Sequence, residues 1–154
     1  MDDLIADLVA QEERLVFTRF DNDDAWTLGC LLVDLAKSRG LPVTIDIRRH
    51  GHQLFHAALP GTAPDNDHWI ARKIRVVERL NASSYLVGRR MAAKDEAFDE
   101  MYGVNPADYA THGGAFPIRV RDVGVIGVVT VSGLPQADDH ALVVEALERF
   151  LAGS

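Results

Sequence analysis

Apolar residues recur along this chain with two periods, one typical of helices and one typical of strands. Spacings of three and four residues predict amphipathic helices over residues 3–13, from Asp21–Asp24 to about Arg39, from Asp65–Asn66 to Leu80, from 84 to about 102, and over 137–152. Alternating or continuous apolar runs predict strands over residues 14–20, 43–49, 52–59, 116–121 and 124–131.

This order of elements leaves few places for parallel crossovers, so it predicts an α+β fold built on a five-stranded antiparallel sheet. Residues 124–131 are apolar on both sides, and helices are therefore expected to pack on both faces of the sheet. The 154 residues contain no linker and no internal repeat. We expect a single domain over residues 1–154.

Composition and charge narrow the class of protein. The chain is 47% hydrophobic and 25% charged, which is ordinary for a soluble globular domain. A net charge of −7 and a pI near 5.2 argue against a nucleic-acid-binding protein. No apolar run approaches the roughly 20 residues that span a bilayer, and the acidic start does not resemble a signal peptide. These features predict a cytoplasmic protein with no membrane partner. Cys30, the only cysteine, lies in an apolar helical run, which predicts a buried and unreactive thiol.

The first candidate site is the turn His112-Gly113-Gly114, which precedes a predicted strand. Two adjacent glycines can adopt positive φ and expose backbone N–H groups to an anion or a polar ligand. His112 is the only candidate for a catalytic residue. A general base needs an orienting partner, and only Asp108 lies nearby in the sequence. The catalytic residues therefore stay unassigned.

The second candidate site is the start of the helix that follows Pro64. Asp65, Trp69, Arg72 and Lys73 are spaced by three and four residues, so they lie near one another on a helix. A tryptophan beside two cations can hold a carboxylate or a phosphate. The same pattern fits equally well a capped helix with a core tryptophan and solvated cations.

The six histidines do not form a recognisable metal motif. His52 and His56 lie on one predicted strand, where four residues at roughly 3.3 Å each separate them by about 13 Å. There is no HExxH or cysteine pattern, so we expect no metal site. The acidic residues between Phe20 and Trp26 are explained by capping of a helix N-terminus.

Four sequence motifs together resemble one known family. Thr111–Val120, Val125–Pro135 and the following Asp138-Asp139 resemble the haem-degrading domain family, also called GlcG/HbpS-like. Phe20–Gly29 and Leu59–Lys73 are similar to motifs of a small cytosolic branch of that family. The resemblance covers essentially the whole chain. It implies a profilin-like fold, oligomeric assembly and, in some members, binding of haem or iron with weak haem-degrading activity.

Three functional hypotheses follow. The leading one is a cytosolic homo-oligomer that binds haem or a small anionic ligand in a pocket built from Asp65, Asn66, Trp69, Arg72, Lys73, His112, Gly113 and Gly114. The second is an assembly or adaptor protein in which the Trp/Arg/Lys cluster forms a subunit interface. The third is an enzyme that acts on a small carboxylate with His112 as acid or base.

Overall fold

The computed structural model describes residues 3–153; Met1, Asp2 and Ser154, which belong to the predicted domain range, lie outside the described residues. The helices are α1 (Asp3–Arg14), α2 (Asn22–Ser38), α3 (Pro64–Leu80), α4 (Ser84–Ala93), α5 (Phe98–Tyr102) and α6 (Gln136–Ala152). The strands are β1 (Thr44–Arg49), β2 (His52–Ala58), β3 (Ala115–Val120) and β4 (Gly124–Ser132). They form one antiparallel sheet in the order β2-β1-β4-β3.

Helices cover both faces of the sheet, as the apolar character of β4 predicts. Residues that alternate along the central strands, such as Ile45 and Val131, join the main core with residues of α2 and α6, such as Leu28 and Leu147. The opposite face packs against α3 through Ile70, Ile74, Val77, Ala115 and Val128. The predicted α+β class, an antiparallel sheet with helices packed on it, is confirmed.

Local sequence signals set the starts of the two helices that flank the strand pair β1–β2. Asp21 accepts a hydrogen bond from the Asp24 amide while the Asp24 side chain accepts one from the Asp21 amide, which forms a capping box before α2. Helix α3 has Pro64 in its first turn, and the Asn66 side chain accepts a hydrogen bond from the Ala63 amide. Asp24 and Asn66 therefore cap their helices from within the first turn, and Asp21 caps α2 from the position before it.

The prediction of a fifth strand over residues 14–20 is wrong. Only Phe17 pairs with the sheet, through a single parallel bridge to Val120 at the outer side of β3. The Leu15 amide still bonds to the Gln11 carbonyl at the end of α1, and Asp21 already begins the cap of α2. Leu15, Phe17 and Phe20 are buried, so this stretch is anchored in the core by its side chains and not by a ladder of backbone hydrogen bonds.

The single helix predicted over 84–102 is interrupted. Helix α4 ends at Ala93, and Asp95 takes a left-handed conformation with φ 53° before α5 begins at Phe98. Residues 94–97 are all exposed. Because this mostly polar stretch has no large apolar side chain to bury, the chain turns there instead of continuing the helix.

Candidate functional site

A cavity of about 300 Å³ lies between the start of α3 and the connection from β4 to α6. Its walls come from three separate segments of the chain, and its lining residues are Asp65, Asn66, Trp69, Lys73, His112, Ser132, Gly133, Leu134, Gln136 and Asp139. A volume of this size is at the lower end of the range for small-molecule pockets, about 300–1,000 Å³.

The structure brings the two segments with candidate residues together at this cavity. The ring centroids of Trp69 and His112 are 5.1 Å apart in an edge-to-face arrangement, a favourable geometry for aromatic rings. Trp69 is half-buried and His112 is exposed. Together they form a wall at the mouth of the cavity.

Arg72 supports this wall from outside the cavity. Its guanidinium lies over the Trp69 ring at 4.7 Å from the centroid and donates hydrogen bonds to the carbonyls of Pro106 (3.1 Å) and Tyr109 (3.4 Å). The Ala110 amide bonds back to the Arg72 carbonyl. Arg72 therefore fastens the loop that leads to His112, and it is not among the lining residues.

A buried ion pair lies on the inner wall of the cavity. The Lys73 ammonium donates to Asp139 Oδ2 and to the Val131 carbonyl, both at 3.2 Å, and the side chains are only 3% and 2% exposed. Asp139 also accepts hydrogen bonds from the amides of Gly133 and Leu134. The pair therefore ties α3, β4 and the start of α6 together.

Burial shifts both members of this pair toward their neutral forms. Burial lowers the pKa of the Lys73 ammonium, against the opposing attraction of Asp139. Burial likewise raises the pKa of the Asp139 carboxyl, against the opposing effects of Lys73 and the two loop amides. A charge removed from water is costly even when it is paired. The two groups therefore share a proton more evenly than an exposed lysine and aspartate would.

The glycine pair has a packing role. The Gly113 amide donates to the Gln136 side chain at 3.1 Å, so this N–H is already occupied. Gly114 has φ 135°, and a Cβ there would clash with the Val131 carbonyl and crowd the Lys73 ammonium. Neither glycine is a lining residue of the cavity. The positive φ predicted for the turn is present at Gly114 alone.

His112 lies in a positive electrostatic environment. Partial burial, followed by the nearby charges of Lys73, Arg72 and Arg89, lowers the pKa of its imidazole below the usual value of 6.5. The ring is therefore neutral at pH 7. Within residues 3–153 it has no hydrogen-bond partner. Asp108 does not orient it, because Asp108 bonds there only through its backbone, its carbonyl to Arg75 and its amide to the Asn105 carbonyl.

Two sets of donors at the cavity have no acceptor in the described part of the chain. A lysine ammonium has three donors, and Lys73 uses two of them. The Gln136 amide uses its oxygen to accept from Gly113, which leaves its NH₂ group. These donors suit a ligand that carries a carboxylate or carbonyl oxygen.

Of the residues predicted for the site, Asp65, Asn66, Trp69, Lys73 and His112 line the cavity, while Arg72, Gly113 and Gly114 lie behind it. The lining residues that sequence reasoning missed come from the end of β4 and the start of α6: Ser132, Gly133, Leu134, Gln136 and Asp139. One signal for Asp139 was present. It precedes Leu142 and Val143 by three and four residues, so it shares the apolar face of α6 and had to be buried with a partner.

Residues 3–153 contain neither a metal-binding cluster nor a membrane-spanning helix. No group of three or more His, Cys, Asp or Glu side chains in this range can hold a metal ion. No helix in the same range is long and apolar enough to cross a membrane. Cys30 is half-buried, so the prediction of a buried thiol is only partly correct.

The sequence and the fold match a known family. The family model described as haem degrading protein HbpS-like matches residues 20–148, and the chain belongs to this HbpS-like family. A UPF0303 protein of Streptomyces coelicolor is 65% identical over 147 residues, which cover 96% of this chain and 93% of the relative. The crystal structure of the Ybr137w protein has a TM-score of 0.90 at 34% identity and covers 97% of this chain and 88% of that chain.

A more distant solved structure is a complex of PduOC with haem. It has a TM-score of 0.70 at 18% identity and covers 84% of this chain and 93% of that chain. This likeness shows that the fold is shared.

Proposed function

We propose that this chain is a cytosolic, homo-oligomeric protein that binds a small carboxylate in the cavity beside Trp69 and His112. The observation that carries the proposal is the buried Lys73 on the cavity wall, whose third N–H has no acceptor in the described part of the chain. A buried donor without a partner is unfavourable, and a ligand oxygen satisfies it.

The electrostatics of the mouth support an anionic ligand. The charges of Lys73, Arg72 and Arg89 disfavour the protonated form of His112, and the same potential attracts a negative group. The free NH₂ group of Gln136 adds neutral donors. The apolar part of the ligand would contact Trp69 and Leu134.

Haem fits this cavity less well than a small carboxylate. Haem needs an axial ligand and broad apolar walls for its ring. His112 offers an exposed imidazole, but the remaining lining includes three charged side chains, those of Asp65, Lys73 and Asp139. The PduOC complex supports haem binding for a protein of the same fold. We expect haemin to give no Soret shift with this chain that depends on His112, and a shift that is lost in His112→Ala would favour haem binding instead.

The two other hypotheses have less support. An interface built from Trp69, Arg72 and Lys73 would need these residues at the surface, yet Lys73 is 3% exposed and Arg72 is bonded to carbonyls of its own chain. An enzyme with His112 as acid or base would need an orienting partner for the imidazole. The described residues supply none.

The carboxylate proposal is tested by NMR titration of the His112 ring with propionate and with its neutral analogue propionamide. Propionate should raise the pKa of His112, because a bound anion offsets the neighbouring cations; propionamide should not. The ring signals of His52, on the edge strand β2, serve as the control for effects of salt. Gln136→Leu should weaken propionate binding about tenfold, the value of one hydrogen bond to a charged group. The proposal is overturned if propionate leaves the pKa of His112 unchanged.

A further inference from the structure

We propose that Lys73 is a nucleophilic lysine that forms a Schiff base with the carbonyl group of a small keto acid or aldehyde bound in the cavity. This inference rests on the proposed function, because it requires the cavity to hold a ligand. The observations that carry it are the position of Lys73 on the cavity wall and its direct contact with a buried carboxyl group.

The geometry around the Lys73 nitrogen defines what it can reach. Two of its three substituent directions point to the Val131 carbonyl and to Asp139 Oδ2. The third N–H of Lys73 has no acceptor within residues 3–153, and Lys73 lines the cavity. Gly114 passes so close that a Cβ there would lie 2.8 Å from the nitrogen. The nitrogen is therefore fixed by neighbours on three sides, which leaves the cavity as the remaining approach.

Asp139 is placed to exchange the protons that Schiff-base formation requires. It first takes a proton from the Lys73 ammonium, which leaves a neutral amine, and rotation about Cε–Nζ turns the lone pair to the cavity. The nitrogen then bonds to the carbonyl carbon, the carbonyl π electrons move to oxygen, and the oxygen takes the proton that Asp139 holds. Asp139 next transfers one proton from the nitrogen to this hydroxyl group. Loss of water breaks the C–O bond and leaves a protonated imine opposite the Asp139 carboxylate. Ammonium and carbonyl thus become iminium and water, with atoms and charge balanced.

Burial favours this chemistry over a purely structural ion pair. Lysines become nucleophiles when desolvation makes the neutral amine accessible near pH 7, and burial acts on the Lys73 pKa in that direction. The other two lysines of the chain, Lys37 and Lys94, are exposed. They provide a comparison within the same molecule.

The test is reductive trapping of the intact protein with pyruvate and sodium cyanoborohydride at pH 7.4, followed by peptide mapping. We expect the reduced pyruvate adduct at Lys73 at least tenfold above its level at Lys37 and Lys94. Lys73→Arg should remove most of the intact-mass adduct and leave only the share carried by the exposed amines, while the matched control Lys94→Arg should retain it. The comparison of three lysines within the wild-type chain stands even if Lys73→Arg fails to fold.

The His112 ring signals separate this inference from the proposed function. If pyruvate perturbs these signals but Lys73 carries no more adduct than Lys37 and Lys94, the Schiff base is overturned and carboxylate binding stands. If pyruvate neither perturbs His112 nor modifies Lys73, both proposals are overturned. Preferential trapping at Lys73 supports both.

Discussion

His140 is a buried neutral histidine outside the cavity. It is 4% exposed, and burial lowers its pKa to about 4. Its Nε2 lies 2.8 Å from Gln11 Oε1 of α1, and its ring packs against Tyr85 and Phe116 at centroid distances of 5.0 and 5.9 Å. Because Gln11 Oε1 is an acceptor, Nε2 carries the proton and donates it.

This environment predicts a loss of stability in mild acid. The folded state favours neutral His140, so its contribution is complete above pH 6.5 and falls as the pH drops toward about 4. The difference between these pKa values corresponds to about 3 kcal/mol. Denaturant unfolding across this range should show a steeper decline for the wild type than for His140→Phe.

His52→Phe is the matched control, since His52 is exposed on β2. It should retain the wild-type dependence of unfolding free energy on pH. Parallel curves for the wild type and His140→Phe would show that His140 does not titrate in this range.

Residue-level patterns predicted part of the candidate site and not the rest. The spacing of Trp69 and Lys73 correctly places them on one face of α3, because residues four apart are neighbours on a helix. Arg72 and Lys73 are adjacent, so their side chains point in different directions and cannot both face the cavity. The pairing of Lys73 with Asp139 joins residues far apart in sequence, which no local spacing encodes.

At the scale of elements, the β3–β4 hairpin depends on one glycine that has no room for a side chain. Gly114 and Gly124 both have positive φ, 135° and 113°, but only Gly114 is crowded by the Val131 carbonyl, Lys73 and Asp139. A non-glycine residue in such a backbone conformation costs about 1–3 kcal/mol. The clash at Gly114 adds to this strain.

Alanine substitutions separate these two contributions. Gly124→Ala should lower the free energy of unfolding by about 1–3 kcal/mol from strain alone, and Gly114→Ala should lower it by more. Guanidinium denaturation of both variants measures the difference. Equal losses would show that the packing around Gly114 relaxes without cost.

Long periodic elements were predictable, and the short connections between them were not. The strong period of α6 and the alternation of β1 gave both elements within a residue or two of their observed bounds. Residues 14–20 also alternate between apolar and polar side chains. They form a loop between α1 and the cap of α2, however, and Leu15, Phe17 and Phe20 anchor this loop in the core. Periodicity reports burial, and burial alone does not distinguish a strand from an anchored loop.

At the scale of the whole molecule, the cluster of Trp69, Arg72 and Lys73 makes its contacts within one chain. Its lysine pairs with Asp139, its arginine binds two carbonyls of the loop before His112, and its tryptophan contacts His112. Each of these contacts is made within one chain. Self-association is therefore expected to use other parts of the surface.

Replacing each of the two tryptophans tests this separation of pocket and interface. Trp69→Ala removes the ring that forms the mouth of the cavity, so it should weaken propionate binding about fivefold or more, since an aromatic anchor is worth at least about 1 kcal/mol. Its molar mass by size exclusion with light scattering should equal that of the wild type. Trp26→Ala is the control for the binding measurement, because Trp26 is 63% exposed on α2 and does not line the cavity. It should bind propionate like the wild type. The opposite outcome is that Trp69→Ala dissociates into smaller species that still bind propionate. The cluster would then be a subunit interface, because only a contact across subunits couples the Trp69 ring to assembly.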